Sequence, residues 1–330
     1  MLIRIFKRNA PLIPALILVI GLLLWGDGFF FAQELESPIQ DAGPLFGLIE
    51  GFLLAYPLAS RILAFLLLLL QVFYLNNIVH TISLLGRPSW LPGFIYLLMM
   101  SSHPEFLQFH PVLLANLFLM MALSRTLVSF SEVEPMVEVF NVGFLIAMAG
   151  LFYYPALLFA VWLILSMTVF FLFSIRGLAA GLMGLLCPFF FLFSFYYLSD
   201  QFEVRFALMA EQFDFLMILE HSFTLYSALL VLFLAFLSLF SFLKVSIANV
   251  HDKPIRIRKR FRVLWYLFLV ALLSFLFVKE NFELHLAIVM IPLGVVSALF
   301  LMEMKKKRLA ELILYGFLIL IIAGKVLFRS

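Results

Sequence analysis

The stretch LASRILAFLLLLLQVFYLNNIVHTI, residues 58–82, carries a single charged side chain, Arg61, in a long apolar run. A helix of about 20 apolar residues crosses the hydrocarbon core of a bilayer, so this stretch predicts a transmembrane helix. The whole chain has the same character, with 65% hydrophobic residues, 12% charged residues and a mean hydropathy of +1.15. Soluble domains are about 45–50% apolar and about 25% charged. The composition therefore excludes a soluble globular protein.

Similar runs recur along the chain and are too long and too continuously apolar for the alternating strands of a membrane barrel. Because lipid offers no partners to backbone amides, the alternative is a helical bundle. Two shorter runs flank HPEFLQFHP, residues 103–111, where the two prolines favour a turn between two short spans. We therefore predict an all-α, polytopic transmembrane bundle of about eleven spans, at about 11–31, 58–82, 89–102, 111–124, 139–155, 156–175, 178–198, 223–246, 262–279, 285–302 and 309–325.

The basic residues predict the orientation of the bundle. With the N-terminus inside, 17 of the 22 Lys and Arg residues lie on the cytoplasmic side, and loop basic residues set orientation. Thirteen of the 19 acidic residues then lie on the outer face. The first apolar run is too long for the core of a cleaved signal peptide, so we expect it to stay as an anchor. These features predict a multi-pass membrane protein with a cytoplasmic N-terminus.

Two connecting segments are predicted to form helices at the outer surface. Residues 44–57 are apolar but too short to span, and residues 199–222 mix charges with Phe, Leu and Met. Both patterns are typical of helices that lie in the membrane interface.

Motif inspection excludes several classes of function. The sequence contains no phosphate-cradling glycine loop, no HExxH and no serine nucleophile elbow. The basic stretches KPIRIRKRFR, residues 253–262, and MEMKKKR, residues 302–308, are interpreted as anchors that touch anionic lipid heads. No nucleic-acid partner is expected, and the single cysteine, Cys187, excludes an intrachain disulfide.

Four of the six histidines, namely His103, His110, His221 and His285, are predicted on the outer face. Together with carboxylates they can bind a divalent metal or move protons, but no pair has helical ligand spacing, which favours solvated loop residues. The predicted cofactor list is therefore empty, with a divalent metal left open. His80 lies near Asn76 and Asn77 inside a span, where either function or hydrogen bonding between helices accounts for it.

The outer connection after the first span, GDGFFFAQELESPIQDAG, residues 26–43, carries the acids Asp27, Glu34, Glu36 and Asp41. A carboxylate here can act as a general base on a sugar hydroxyl or hold a metal beside a lipid phosphate. Ordinary solvation of a loop is the alternative.

Over residues 1–200 this layout resembles the GT-C superfamily of membrane glycosyltransferases. The resemblance rests on the acidic first outer loop, the short paired spans of residues 86–125, and the turn at LFYYP, residues 151–155. It implies a seven-span GT-C-like core in residues 1–200, with an interfacial helix and about four more spans in residues 201–330. The chain is also similar to a group of uncharacterised, Phe-rich bacterial inner-membrane proteins, which implies that it too lies in the bacterial inner membrane.

The resemblance implies the substrates and the roles of several residues. The donor is a polyprenyl-phosphate-linked sugar, and the partners are membrane lipids. Glu34 or Glu36 is the expected base, with Glu105 as a second acid. Substrate contacts are expected from Arg61, Arg205, Asp41, His103 and Tyr154, the two arginines meeting the donor phosphate.

The sequence departs from the superfamily pattern in several respects. Leu35 separates Glu34 from Glu36 where the superfamily has a compact acidic pair, and Asp41 stands alone. The LFYYP turn, residues 151–155, has tyrosines and no basic residue to hold the donor phosphate. Two other functions are therefore kept open. One is a non-catalytic component of a cell-envelope assembly that docks partners through its interfacial helices. The other, with less support, is a transporter, for which few intramembrane charges and no inverted repeat are found.

Overall fold

The structure is a computed structural model that describes residues 2–7, 10–30, 41–128, 130, 135–212, 224–248, 254–278 and 282–327. Apart from one isolated bridge, the described residues form no β-structure, which confirms the all-α prediction. The helices are α1 (Leu2–Phe6), α2 (Ile13–Phe30), α3 (Pro44–Ala55), α4 (Pro57–Thr81), α5 (Leu91–Met100), α6 (Pro111–Val128), α7 (Pro135–Phe152), α8 (Phe159–Phe170), α9 (Ile175–Leu198), α10 (Phe202–Gln212), α11 (Leu225–Ala248), α12 (Ile255–Leu273), α13 (Phe282–Glu303) and α14 (Lys307–Leu327).

Eight helices in the described part of the chain, α4, α6, α7, α9 and α11–α14, are long and apolar enough to cross a membrane. The chain is therefore an integral membrane protein with several spans. The other three predicted spans correspond to the shorter apolar helices α2, α5 and α8, so the count of eleven stays a prediction.

Helix α13 is the centre of the bundle. Its spanning segment is entirely buried, and it packs against α5, α6, α11 and α12. The C-terminal half of the chain therefore supplies the core helix around which earlier helices assemble. A chain of buried polar groups crosses the same region: Tyr96 donates to Gln71 Oε1 at 2.7 Å, and Asn116 donates to the Ala287 carbonyl at 2.9 Å. Such bonds between spans hold membrane helices together.

The backbones of α7 and α9 touch, because glycines remove the side chains that would separate them. A Cβ on Gly184 would lie 3.0 Å from the Phe140 carbonyl carbon, and one on Gly143 would lie 3.2 Å from the Leu185 nitrogen. Small residues allow this close approach in membrane helix pairs.

Segments that are far apart in the sequence meet at one end of the bundle, where Trp90 N donates to Phe6 O and Ile3 N donates to Glu311 Oε1. This end is formed by α1, residues 82–90, the last turn of α6 and the first turns of α12 and α14, and we call it the basic end. Helix α12 begins seven residues before the predicted span because its basic start is itself helical. There Arg260 donates to Ile82 O at 2.7 Å and to Leu127 O at 3.2 Å, and so caps the C-terminal ends of α4 and α6. Arg260 is thus a structural link as well as part of a basic stretch.

The two segments predicted to form surface helices contain α3 and α10, and their place at a membrane surface stays a prediction. Helix α3 packs on α4 and α7 while Leu48 and Phe52 stay exposed. In α10, Met209 is buried and the other side chains described through Ala210 are exposed. Residues 213–222 of the second predicted surface helix lie outside the described residues.

Candidate functional site

The tyrosine–histidine end, opposite the basic end, is formed by residues 41–43, 101–110, 153–158 and 274–278 together with the first turn of α13. Here the end of the acidic first loop is joined to the connection between α7 and α8. Gly43 N donates to Phe152 O at 2.8 Å, Tyr154 N donates to Asp41 O at 3.2 Å, and Ala42 forms an antiparallel bridge with Tyr153. A Cβ on Gly43 would meet the carbonyl oxygen of Gly150 at 2.9 Å, so this approach requires glycine.

Asp41 is only 3% exposed, and it is not a solvated loop residue. Its neighbour Tyr153 is fully buried, and burial first and the Asp41 carboxylate second raise the pKa of the Tyr153 hydroxyl. Tyr153 is therefore a proton donor that stays neutral in this position.

A chain of hydrogen bonds continues from Tyr153 into the bundle. Its hydroxyl lies 2.9 Å from His285 Nδ1, and Ser274 Oγ lies 2.8 Å from His285 Nε2. Because Ser274 donates its own proton to Ala271 O at 2.9 Å, it accepts from His285 Nε2–H, and Nδ1 accepts from Tyr153. The network thus assigns a neutral imidazole with its proton on Nε2.

A second polar group surrounds His103. Its Nε2 lies 3.3 Å from Ser227 Oγ, its ring stacks on Tyr226, and the Tyr226 hydroxyl donates to the Ser102 carbonyl. Burial lowers the pKa of His103 to about 4, against a smaller upward effect of the Glu283 carboxylate. His103 is thus a neutral acceptor or donor rather than a cation at neutral pH.

The interpretation of the histidines as solvated loop residues is wrong for His103, His110 and His285, which are at most 5% exposed. The 101–110 connection folds inward, where Phe106 is fully buried. Burial also lowers the pKa of His110 to about 3. The fourth histidine, His221, lies outside the described residues.

The other predicted site residues occupy the same end of the bundle with different surroundings. Arg61 lies in the first turn of α4 and is 7% exposed, and Glu105 lies in a 3₁₀ turn, Pro104–Leu107, that packs against α4 and α13. Tyr154 is half-buried beside Asp41. Arg205 is on α10, where it is exposed and donates to Gln201 Oε1 at 3.4 Å.

The predicted bases Glu34 and Glu36 lie outside the described residues. Within the residues that are described, no group of three or more His, Cys, Asp and Glu side chains is placed to hold a metal ion. His80 and Asn77 are exposed, whereas Asn76 is buried. The side chains of Asn76, Asn77 and His80 therefore do not form one buried polar group inside the span.

Sequence reasoning missed Ser274 and Ser227, which complete the two polar groups. The signal for Ser274 was a lone hydroxyl in the apolar run LLSFLF, residues 272–277, and Ser227 stands among other hydroxyls in SFTLYS, residues 222–227. A hydroxyl in the sequence does not indicate which helix its side chain will contact.

The fold and this end of the molecule define a polytopic helical membrane protein with a largely buried polar cluster at one end. No family model matches the chain, and no curated protein or solved structure is significantly similar to it. The resemblance to the GT-C superfamily therefore stays a prediction from sequence layout.

Proposed function

We propose that this membrane protein is a glycosyltransferase that uses a polyprenyl-phosphate-linked sugar at the tyrosine–histidine end. The observation that carries the proposal is the attachment of Asp41 and Gly43 to the α7–α8 connection. This attachment anchors the acidic first loop at the end of the bundle that also holds Arg61 and Glu105.

The proposed reaction uses the residues as follows. Glu34 or Glu36 takes the proton of an acceptor hydroxyl, whose oxygen forms a bond with the anomeric carbon of the sugar. The bond between that carbon and the phosphate oxygen breaks, and polyprenyl phosphate leaves with the electron pair. A guanidinium, from Arg61 or Arg205, meets the growing negative charge on the phosphate.

The proposal is tested by replacing the two predicted bases together, Glu34→Gln and Glu36→Gln, in cells that depend on this copy of the protein. Loss of a general base typically lowers rates by about 10²–10⁴-fold, so transfer to the envelope glycan should stop while the lipid-linked donor accumulates. Mass spectrometry of glycans and lipid extracts measures both.

The matched control is Glu203→Gln, an exposed acid of α10 that the proposal leaves without a role. It should leave glycans unchanged. Unchanged glycans in the Glu34→Gln, Glu36→Gln protein, present in the membrane at normal levels, would remove the catalytic proposal.

A second candidate, a non-catalytic component of an envelope assembly, is favoured by one observation. The polar side chains Tyr153, His285 and Ser274 satisfy one another inside the protein, as groups with a purely structural role do. This alternative expects the two Gln substitutions to be tolerated and a stable protein partner to co-purify with the chain.

A further inference from the structure

The basic end contains a pocket of about 860 Å³ between α1 and α14. One wall comes from Ile3, Arg4 and Lys7, and the other from the first two turns of α14. The proposed reaction does not involve this pocket, which lies at the opposite end from the acidic first loop. Lys307 and Arg308 in its wall belong to the basic stretch of residues 302–308, interpreted above as an anchor that touches anionic lipid heads.

The α1 wall is held in place by contacts inside the protein. Ile3 N donates to Glu311 Oε1 at 3.1 Å, the Phe6 ring stacks on Phe94 at 3.7 Å, and Phe6 O accepts from Trp90 N at 2.9 Å. Phe6 is fully buried. The short helix α1 is therefore a fixed wall of the pocket.

The charges in this pocket are mostly positive. Four basic side chains line it, Arg4, Lys7, Lys307 and Arg308, against one carboxylate, Glu311, which already accepts from α1. Burial lowers the pKa of the Lys7 ammonium, and the charges of Lys307 and Arg87 lower it further. Cations crowd one another here, and an anion placed among them would relieve that repulsion.

The pocket continues into an apolar surface. Leu312 and Tyr315 also line it and are 69% and 42% exposed. Further along α14, Ile319, Ile322 and Val326 are also exposed, at spacings of three and four residues that place them on the same face. A basic pocket thus opens onto an apolar stripe that runs the length of a membrane-spanning helix.

We propose that this pocket is a binding site for an anionic glycerophospholipid. The headgroup phosphate is held between Arg4 and Lys7 on one side and Lys307 and Arg308 on the other, and an acyl chain lies along the α14 stripe. Basic pockets at the ends of spans are the usual receptors for such headgroups. Charge complementarity selects an anionic lipid over a zwitterionic one, and the exposed apolar stripe selects a lipid over a free anion.

The test titrates the detergent-purified, delipidated full chain with phosphatidylglycerol, and with phosphatidylcholine of the same acyl chains, and counts bound lipid by native mass spectrometry. Phosphatidylglycerol should bind at least about ten-fold more tightly. Removing two charges, as Lys307→Gln with Arg308→Gln, should weaken it by at least about ten-fold, because each basic residue near a lipid surface contributes on the order of five-fold in affinity. Arg4→Gln with Lys7→Gln should do the same from the other wall.

The matched control is Lys305→Gln with Lys306→Gln, which removes two exposed charges of the same segment that do not line the pocket. It should bind phosphatidylglycerol as the unmodified chain does. Equal binding of both lipids, or an equal loss in the control, would each overturn the proposal. None of these outcomes bears on the reaction proposed at the other end.

Discussion

At the scale of single residues, Tyr153 connects the two parts of the candidate site. Its backbone pairs with the end of the acidic loop, and its hydroxyl donates to His285 deep in the first turn of α13. Tyr153 therefore joins the end of the acidic loop to α13.

Replacing Tyr153 by Phe should destabilise the protein by about 1–3 kcal/mol, because His285 Nδ1 would be left buried without a donor. Thermal unfolding in detergent measures the loss as a lower apparent Tm. Tyr197→Phe is the control, since that side chain is 73% exposed on α9. Equal transition temperatures for the two variants would show that the hydrogen bond between Tyr153 and His285 does not contribute to stability.

The buried histidines set a pH dependence. The pKa values of His103 and His110 lie at about 4 and about 3 in the folded protein, below the ordinary histidine value of about 6.5. The unfolded chain therefore binds more protons below pH 6.5, and stability should be constant from about pH 8 to 6.5 and fall steadily toward pH 4.

Unfolding temperatures across this range measure the effect. The variant His103→Gln with His110→Asn should lose less stability than the unmodified chain between pH 6.5 and pH 4. Above pH 6.5 its stability should stay independent of pH, as in the unmodified chain. A protein that grows more stable as pH falls from 7 to 5 would contradict the burial of these rings.

At the scale of helices, the α7–α9 contact depends on glycine. Gly184→Ala places a methyl group 3.0 Å from the Phe140 carbonyl carbon, so the helices must separate. Overpacking of this kind costs about 1–3 kcal/mol, seen as a lower apparent Tm. The control, Gly47→Ala, adds its methyl in open space on α3 and should not destabilise.

The sequence predicted the helices well and their neighbours poorly. Apolar runs are long enough to locate α4 or α13, and the prolines at 104 and 111 correctly divided α5 from α6. Periodicity carries no signal for which helix is central, because every face of a membrane helix is apolar. The complete burial of α13 and the capping of two other helices by Arg260 appear only when the helices are assembled.

The candidate site was likewise predictable only in part from the sequence. Residue types and loop order predicted Asp41, His103, Glu105 and Tyr154 as site residues on the outer face. In the structure Tyr154 N donates to Asp41 O, while the roles of the four residues stay predictions. Whether His103 and His110 are solvent-exposed or buried depends on how the 101–110 connection folds back onto the bundle, and the local sequence does not determine this. The basic pocket escaped notice because its walls, α1 and α14, are some 300 residues apart in the chain.

At the scale of the whole molecule, the account requires that α2, α5 and α8 cross the membrane although they are short. Single-cysteine labelling in a Cys187→Ala background tests this, because α2, α4 and α5–α9 would make seven crossings between Arg4 and Glu203. A cysteine replacing Arg4 should therefore react with a membrane-impermeant maleimide only after the membrane is opened. A cysteine replacing Glu203 should react with a membrane-impermeant maleimide in intact cells. One replacing Lys305 should react only after the membrane is opened. Labelling of both from outside would require a different number of crossings between α10 and α14.

The central claim is that the acidic first loop works on a lipid-linked sugar held at the tyrosine–histidine end. Mass spectrometry of lipids that co-purify with the protein tests it most directly. The account predicts a polyprenyl-phosphate-linked sugar in the extract, and more of it when Glu34 and Glu36 are both replaced by Gln, because the bound donor is no longer consumed. An extract that contains only glycerophospholipids in both proteins would contradict the claim.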